Sequence, residues 1–303
     1  MTEKPLISII TPSLNRAGMI ETAIESVLAQ NYPHFEHIIV DGGSTDGTLE
    51  ILSKYTHLRA FSAQDAGMYD ALNRGLALAQ GEIIGFLNTD DIYPDGTLES
   101  VSHLYNTHQF VHVILGNVSL YDKNGLQKTI SIGSKPDDLI YNITLGTPIF
   151  NAWFFSKAIF ERTGLFDPSL KIAGDRDLLL RVWLSRPKVV KNERVVYFYQ
   201  IHDDSLTFSN LTQKNIPIWK EYLLIIERYL SQSPPEIAQR LLRKWAYSVT
   251  LELATQAIHA KDIRLFLKYF ARGMKYDGRW VLSFLSRLIF YLFKKIWIIN
   301  GQN

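Results

Sequence analysis

The stretch GEIIGFLNTDDIYPDG, residues 81–96, joins a buried strand to paired carboxylates. Residues 83–87 form a short apolar run between a glycine and a polar turn, a pattern typical of a strand inside a mostly parallel sheet. Open α/β sheets bind ligands at the carboxyl ends of their strands, where this stretch places Asn88, Asp90 and Asp91. The stretch therefore predicts an α/β fold and the edge of the sheet at which a ligand binds.

The two adjacent acids have two interpretations. Asp90 and Asp91 repel each other unless a positive charge joins them, and no Cys or His lies close by in sequence. These carboxylates therefore suit a hard divalent cation, Mg²⁺ or Mn²⁺, of the kind shared with substrate phosphates. The alternative is a strand that ends in an Asx turn, with Asp91 or Asp95 capping a helix that begins near Thr97.

The composition excludes several kinds of protein. A chain of 303 residues, 47% of them hydrophobic, is long enough for one α/β domain with an appendage and is not disordered. It has no cysteine, which excludes disulfides, thiolate metal sites and cysteine nucleophiles. The first residues, MTEKPLISII, lead into a predicted strand without an apolar segment of signal-peptide length, so we expect a cytoplasmic protein.

The first part of the chain has a strand–helix–strand pattern. Residues 6–10 and 35–40 are apolar β-rich runs, and apolar residues recur at helical spacing between Ile20 and Leu28. The second strand ends at Asp41. This acid is therefore expected at the ligand-binding edge, where it can accept a hydrogen bond from a base or a ribose.

A glycine-rich sequence, VDGGSTDGT, spans residues 40–48. Its glycines permit positive φ or a close approach of the backbone to a ligand. Gly43 and Thr45 stand where an EF-hand loop needs acids, and no Gly-Lys-Ser/Thr follows as in a phosphate-binding loop. The two interpretations that remain are a plain turn before a helix and a loop that presents Asp41 to a ligand.

Three later positions offer further polar groups at the ends of predicted elements. Asp65 precedes a helix, either as its cap or as a second acid on the ligand side. Asp175 and Asp177 begin another helix, where they either cap it and favour its dipole or supply a general base that faces the first acid pair. His202 follows the predicted strand 195–201. A single histidine there is more often a surface or core residue than a ligand, but this strand can return beside the acid pair.

Four segments resemble, in order, the family-2 glycosyltransferases, which have the nucleotide-diphospho-sugar transferase (GT-A) fold. These segments are ISIITPSLNR (7–16), IIVDGGSTDGT (38–48), DAGMYDALNRGLALAQGEIIGFLNTDD (65–91) and GLFDPSLKIAGDRDLLLRV (164–182). Each is a weak signal alone, whereas four in order within residues 5–208 are highly specific. The resemblance implies a catalytic domain over residues 1–208 with a Rossmann-like, mostly parallel mixed sheet flanked by helices.

The resemblance also implies roles for individual residues. Those implied to bind the nucleotide are Thr11, Asn15, Asp41 (which would read the base), Asp65, Asn73 and Asn88. Those implied to hold Mn²⁺ or Mg²⁺ are Asp90, its neighbour Asp91 and His202. The implied catalytic base is Asp175, with Asp177 as the alternative.

Two departures from the family pattern bear on these roles. Asn88 stands where many relatives have aspartate, which weakens the negative charge at the metal although an amide can still bind a ribose hydroxyl. The sequence Gly174-Asp175-Arg176-Asp177 replaces the more usual Glu-Asp pair. The choice between Asp175 and Asp177 as the base is therefore open.

An enzyme of this family transfers a sugar from a nucleoside diphosphate to an acceptor hydroxyl in one inverting displacement. A divalent ion neutralises the leaving diphosphate and a carboxylate takes the proton of the attacking hydroxyl. We expect a UDP-linked donor and a saccharide acceptor, carried on a lipid, in the synthesis of cell-surface polysaccharide or glycolipid. The alternatives are a sugar nucleotidyltransferase and a non-catalytic nucleotide-sugar-binding or scaffold subunit.

Residues 209–303 are expected to form a helical, basic extension. From Arg240 to the end there are 12 basic and 3 acidic residues, which leaves a charge of −7 on the rest of the chain. Residues 280–299 form a predicted amphipathic helix with Arg287, Lys294 and Lys295 on one side, a pattern typical of a helix lying in a membrane interface. We therefore expect peripheral attachment to the cytoplasmic membrane face. The alternative is a helix that packs on the catalytic domain or a dimer partner; without a recognised module, nucleic acid is not an expected partner.

Overall fold

The structure is a computed structural model that describes residues 4–201, 216–282 and 284–286. Residue contacts divide the chain into two compact units, residues 1–210 and 211–303. Within the described ranges, no helix is both long and apolar enough to cross a membrane.

The described residues of the first unit contain an eight-stranded mixed sheet. Its strands are β1 (Ile7–Ser13), β2 (Phe35–Asp41), β3 (Leu58–Ser62), β4 (Ile83–Phe86), β5 (Val113–Asp122), β6 (Gly125–Ile130), β7 (Trp153–Ser156) and β8 (Val189–Gln200). The order across the sheet is β3-β2-β1-β4-β7-β5-β6, and β8 pairs with β5. Strands β1 to β4 are parallel, as are β5 and β8, whereas β7 and β6 pair antiparallel with their neighbours. The predicted mostly parallel mixed sheet is confirmed.

Helices join and flank these strands. In the first unit they are α1 (Ile20–Leu28), α2 (Thr48–Leu52), α3 (Met68–Leu78), α4 (Thr97–Thr107), α5 (Pro136–Thr144), α6 (Ala158–Thr163) and α7 (Gly174–Leu184). The buried residues of α1 repeat at helical spacing, as the sequence predicts. Helix α3 lies so close to β1 that a side chain at Gly75 would collide with Ile10. This close packing fixes the start of α3 relative to the carboxyl edge of the sheet.

Strand β8 is longer than predicted. It begins at Val189, six residues before the predicted start at Val195, and pairs in parallel with β5 through a register shift. Its first half, VVKNER, has two apolar residues followed by four polar ones, including the exposed Glu193. Pairing with β5, rather than burial alone, therefore extends this strand.

The second unit is helical. Its helices are α8 (Ile216–Leu230), α9 (Glu236–His259) and α10 (Ile263–Tyr276). Helix α9 buries Trp245 and Val249, and the ring nitrogen of the buried Trp280 donates to the Thr250 hydroxyl at 3.1 Å. Trp280 also stacks on Phe284. The first turn of the predicted helix 280–299 is therefore packed on protein, and residues 287–299 lie outside the described residues.

Candidate active site

Three polar residues form a row at the carboxyl edge of the sheet. Ser13, Asp41 and Ser62 end β1, β2 and β3, and the strand register places Asp41 between the two serines. The three strands are parallel, so their ends meet at one edge. This edge is the one at which the sequence predicts a ligand.

Asp41 is fully buried and has several hydrogen-bond donors around it. The amides of Gly43 and Ser44 donate to Oδ2 at 3.0 and 2.9 Å, the Ser62 hydroxyl donates to Oδ2 at 2.7 Å, and the Ser44 hydroxyl donates to Oδ1. Burial opposes ionisation, but these hydrogen bonds outweigh it and hold the pKa of Asp41 below its usual value. Asp41 is therefore an ionised residue that shapes the glycine-rich loop, and a base would have to share its oxygens with that loop.

Asn15 connects the loops that follow β1 and β2. Its backbone has a left-handed φ of 53°, its amide nitrogen donates to the Ser44 hydroxyl at 2.7 Å, and its side-chain oxygen accepts from the Thr45 amide at 2.9 Å. Its side chain is exposed at the ligand edge. Asp46 supports the same junction by accepting a hydrogen bond from the Ala17 amide at 3.0 Å.

Asp65 lies directly against the glycine-rich loop. A Cβ placed on Gly42 would be 2.7 Å from Oδ2 of Asp65, so a larger residue there would force the Asp65 side chain to move. Its other oxygen accepts from the Gly67 amide at 2.9 Å, just before α3. The structure therefore places Asp65 against Gly42, the residue that follows Asp41.

Two of the residues implied to bind the nucleotide are held by protein partners. Thr11 is fully buried, and its hydroxyl lies 3.0 Å from Nε2 of His37. The Asn73 side chain donates to the Phe166 carbonyl and accepts from the Phe166 amide, both at 2.9 Å. In this arrangement Thr11 contacts the neighbouring strand through His37, and Asn73 holds the loop before α7.

The acid pair after β4 is divided between two environments. Asp91 is 2% exposed and accepts from the Tyr197 hydroxyl at 2.6 Å, the Gln200 amide at 2.8 Å and the Asn88 side chain at 3.2 Å. Burial, followed by the charge of Asp90, raises the pKa of Asp91 to about 7. Asp90 is only half-buried. Asp91 therefore ties the loop to the end of β8, and Asp90 is the better candidate for a metal ligand.

The residues around Asp90 fit one mode of metal binding. The parts of the chain that the structure describes contain no cluster of three His, Cys, Asp or Glu side chains arranged to hold a metal. An ion enclosed by protein ligands alone is therefore not built from these residues. One accessible carboxylate at a strand end does fit Mg²⁺ or Mn²⁺ that takes its remaining ligands from water and substrate phosphates. His202, the third predicted ligand, lies outside the described residues.

Helix α7 begins at the same edge of the sheet. Tyr69, in the first turn of α3, donates a hydrogen bond to the Ile172 carbonyl at 2.7 Å, and its ring packs against Gly174. Because α3 follows the carboxyl end of β3, these contacts place the start of α7 beside that end. Asp175 is thereby positioned by α3, with its Oδ1 3.5 Å from the Tyr69 hydroxyl.

The two acids of α7 differ in what holds them. Asp177 is 1% exposed and its Oδ2 binds the Nε and Nη2 atoms of Arg181 at 3.0 and 2.9 Å. Asp175 is half-buried, and its Oδ1 accepts from the Arg176 amide at 2.7 Å. Burial raises the pKa of Asp175, although the Arg176 charge opposes the shift. Asp175 therefore has the accessibility and the raised pKa of a general base, and Asp177 has a structural partner.

Ser13 was not among the residues predicted from sequence to form the site. Its hydroxyl is buried at the ligand edge and, among the described residues, has no hydrogen-bond partner. A buried hydroxyl without a partner is uncommon and calls for an explanation such as a ligand. Its position in the sequence could have indicated a site residue, because Ser13 is the last residue of β1, as Asp41 is the last of β2.

Comparison with known families identifies relatives over most of the chain. The model of Glycosyl transferase family 2 matches residues 8–164, more than half of the sequence. An uncharacterized glycosyltransferase of Rickettsia typhi is 28% identical over 304 residues, which cover 92% of each chain. A PGL/p-HBAD biosynthesis glycosyltransferase of Mycobacterium bovis is 30% identical over 200 residues, 63% of this chain and 75% of that protein.

Solved structures share the fold. S. aureus TarS 1–349, in complex with UDP-GlcNAc, superposes with a TM-score of 0.63 at 18% identity and covers 90% of this chain and 92% of that one. The mannosyltransferase PcManGT of Pyrobaculum calidifontis, in complex with GDP-Man and Mn²⁺, gives 0.57 at 19% identity, with 98% and 88% coverage. At these identities the likeness establishes the GT-A fold. With the family match, it follows that the chain belongs to Glycosyl transferase family 2 and is a glycosyltransferase.

Proposed function

We propose that the protein is an inverting, metal-dependent glycosyltransferase that moves a sugar from a UDP-linked donor to a saccharide acceptor. One observation carries the proposal. Asp90 and Asp175, a metal ligand and a base in this scheme, are the half-buried members of two acid pairs near one sheet edge, whereas Asp91 and Asp177 are only 2% and 1% exposed.

The geometry of the edge supports a role for each of these residues. The glycine-rich loop, shaped by Asp41 and joined to Asn15, would hold the nucleoside. Asp90, with Asn88 beside it, would hold Mn²⁺ or Mg²⁺ together with the diphosphate. When bound, this ion supplies the positive charge that stabilises the leaving diphosphate.

Asp175 would take the proton of the acceptor hydroxyl. Its half-buried carboxylate is oriented by the Arg176 amide and lies near the Tyr69 hydroxyl. Asp177, by comparison, forms an ion pair with Arg181 at 2.9 Å. A raised pKa makes it a stronger base than an ordinary aspartate once it is ionised. The hydroxyl oxygen attacks the anomeric carbon as the bond to the diphosphate breaks. A single displacement of this kind inverts the configuration.

The donor and the acceptor are proposed from the relatives. UDP-GlcNAc bound to TarS supports a UDP-linked donor, and the PGL/p-HBAD name of the mycobacterial relative supports an acceptor in the synthesis of cell-surface glycolipid or polysaccharide. A lipid-carried acceptor would place the enzyme on the cytoplasmic face of the membrane, attached peripherally. Oligomer formation is compatible with this scheme but is not required by it.

Calorimetric titration tests the donor site. We expect UDP to bind in the presence of Mn²⁺, binding to weaken strongly in EDTA, and Asp90→Ala to abolish the difference. GDP and other nucleoside diphosphates serve as competitors that report the base preference. If a folded protein binds none of them, the proposal is wrong.

Product analysis separates the alternatives. Release of UDP from a UDP-sugar, lost in Asp175→Asn, supports transfer. Consumption of a sugar 1-phosphate with a nucleoside triphosphate would instead identify a nucleotidyltransferase. Binding of metal and nucleotide sugar without any hydrolysis or transfer would identify a non-catalytic subunit.

A further inference from the structure

Helix α10 exposes an apolar stripe to solvent. Ile263, Leu267 and Met274 are 64%, 56% and 39% exposed, although all three are large and apolar. At a helical repeat of 3.6 residues they lie within about 40° of one another around the axis. Tyr269 and Gly273, on another side of the helix, are buried. The stripe is therefore a face left over after α10 has packed within its own unit.

A row of cations borders this stripe. Arg264, Lys268 and Lys275 are exposed and lie about 80–120° around the helix from the centre of the stripe. Among residues 261–276, all of which are described, the one acid is Asp262, whose Oδ1 accepts from the Leu265 amide as the helix cap. The exposed surface of α10 is thus apolar on one half and positive on the other.

The segment after α10 also exposes apolar residues close to a basic residue. Leu282 and Leu285 are 68% and 45% exposed and are three residues apart in a helical segment that follows the exposed Arg279. Within the described part of the second unit, five of the six exposed large apolar residues therefore lie between Ile263 and Leu285, and the sixth is Leu224.

We propose that the α10 stripe docks on an anionic lipid bilayer. The apolar side chains would enter the boundary between head groups and acyl chains, while Arg264, Lys268 and Lys275 contact lipid phosphates. Charge favours this occupant over a second copy of the chain, since the α10 surface of a second copy carries the same cations and, apart from the cap Asp262, no acid to pair with them. A bilayer supplies both an apolar layer and fixed negative charge.

This inference rests on the proposed function only for its purpose, which is to bring the catalytic unit to a lipid-carried acceptor. The binding surface itself needs no donor, metal or acceptor. Membrane binding and sugar transfer can therefore be tested independently, and either can fail without the other.

Vesicle sedimentation with the full-length protein tests the proposal. One set of vesicles is phosphatidylcholine alone, and the other contains about one third phosphatidylglycerol to give a negative surface. We expect sedimentation with the anionic vesicles and a steep decrease at high salt. Ile263→Ser/Leu267→Ser should lower the partition coefficient at least about tenfold, because it removes apolar area from the docking face. Lys268→Glu/Lys275→Glu should lower it by at least about fivefold per reversed charge.

The matched control makes the same kinds of substitution, an apolar residue to Ser and a lysine to Glu, on another surface. Leu126 and Lys128 are exposed on β6, so Leu126→Ser/Lys128→Glu should leave vesicle binding unchanged. Circular dichroism checks that every variant is folded, which we expect because all the substituted side chains are exposed. UDP binding should be the same in all of them.

Three results would overturn the proposal. The first is no sedimentation of the folded protein with either kind of vesicle. The second is binding that survives both α10 variants, which would assign the membrane contact to another part of the chain. The third is a change in molecular mass by light scattering in the Ser variant without any loss of vesicle binding, which would identify the stripe as a contact between copies.

Discussion

The Tyr197 hydroxyl donates a 2.6 Å hydrogen bond to Oδ2 of Asp91, which joins β8 to the loop that follows β4. The contact spans 106 residues of sequence and is buried. It occupies one acid of the Asp90–Asp91 pair and leaves the other half-buried at the ligand edge. The division gives the two neighbours different roles and different responses to mutation.

Asp90→Asn and Asp91→Asn should therefore have separable effects. We expect Asp90→Asn to abolish the Mn²⁺-dependent part of UDP binding with little change in stability. Asp91→Asn should lower the free energy of unfolding by about 1–3 kcal/mol, because an amide cannot accept all the hydrogen bonds that now reach the carboxylate. Titration calorimetry and urea unfolding measure the two quantities. Equal loss of metal-dependent binding in both variants, without destabilisation of either, would contradict the division.

The acids of α7 should show a similar separation. Asp175→Asn is expected to lower kcat by about 10²–10⁴ while the protein remains stable, because it removes the proposed base. Asp177→Asn leaves the Arg181 guanidinium without its counter-charge and should lower the free energy of unfolding by about 2 kcal/mol. Steady-state UDP release and urea unfolding distinguish them. If Asp177→Asn loses kcat at full stability, the base has been assigned to the wrong residue.

Activity should depend on pH through Asp175. The residue acts as a base only when it is ionised, and burial raises its pKa above that of an ordinary aspartate. We therefore expect kcat to fall as pH decreases through this raised pKa, at a higher pH than an exposed aspartate would give. The pH profile of UDP release measures it. A residual activity in Asp175→Asn that keeps the same acidic limb would show that another group titrates.

Ser13→Ala should weaken UDP binding and raise the free energy of unfolding. The Ser13 hydroxyl is buried without a partner in the described structure, so its removal is expected to raise the free energy of unfolding by about 1 kcal/mol. We propose that this hydroxyl binds the donor nucleotide, in which case the same variant should bind UDP more weakly. Ser62→Ala is the comparison: it removes a donor to Asp41 and should lower stability. Unchanged UDP affinity in a more stable Ser13→Ala protein would exclude Ser13 from the site.

His37 should make the protein less stable in mild acid. Burial, with a smaller contribution from His57, lowers the pKa of His37 to about 3, so the imidazole is neutral in the folded protein. Below about pH 6.5 the unfolded chain takes up a proton there that the folded chain does not, so the free energy of unfolding falls by up to about 1.4 kcal/mol per pH unit. His37→Gln should flatten this dependence between pH 6.5 and 5, measured by urea unfolding. An unchanged slope would mean that His37 is protonated in the folded state.

Several strands and helices could be predicted because the local pattern of apolar and polar residues indicates them directly. The apolar runs that became β1, β2 and β4 are short and end in polar residues, and the apolar spacing of α1 has the helical period. Because parallel strands share an edge, the acids after β2 and β4 were expected together before any contact was known. The extent of β8 was missed, since it depends on pairing with β5, which is distant in sequence.

The proposed membrane-binding surface shows why an amphipathic pattern must be combined with packing. The sequence pointed to residues 280–299, of which Trp280 is buried and Leu282 and Leu285 are exposed, while residues 287–299 lie outside the described residues. The structure adds an exposed apolar stripe on α10. Both segments are amphipathic. Which apolar face remains in solvent depends on which one the neighbouring helices cover.

The sequence by itself determined the family, the strands that became β1, β2 and β4, and the positions of Asp41, Asp90 and Asp91 at the carboxyl ends of β2 and β4. The sequence also places Arg181 four residues after Asp177, a spacing at which two side chains of one helix can form an ion pair. Only the tertiary structure decided that Tyr197 holds Asp91, that Phe166 holds Asn73 and that Ser13 has no partner among the described residues. The physical reason is that a side chain's accessibility and pKa depend on the groups packed around it, and these come from strands and loops far away in sequence.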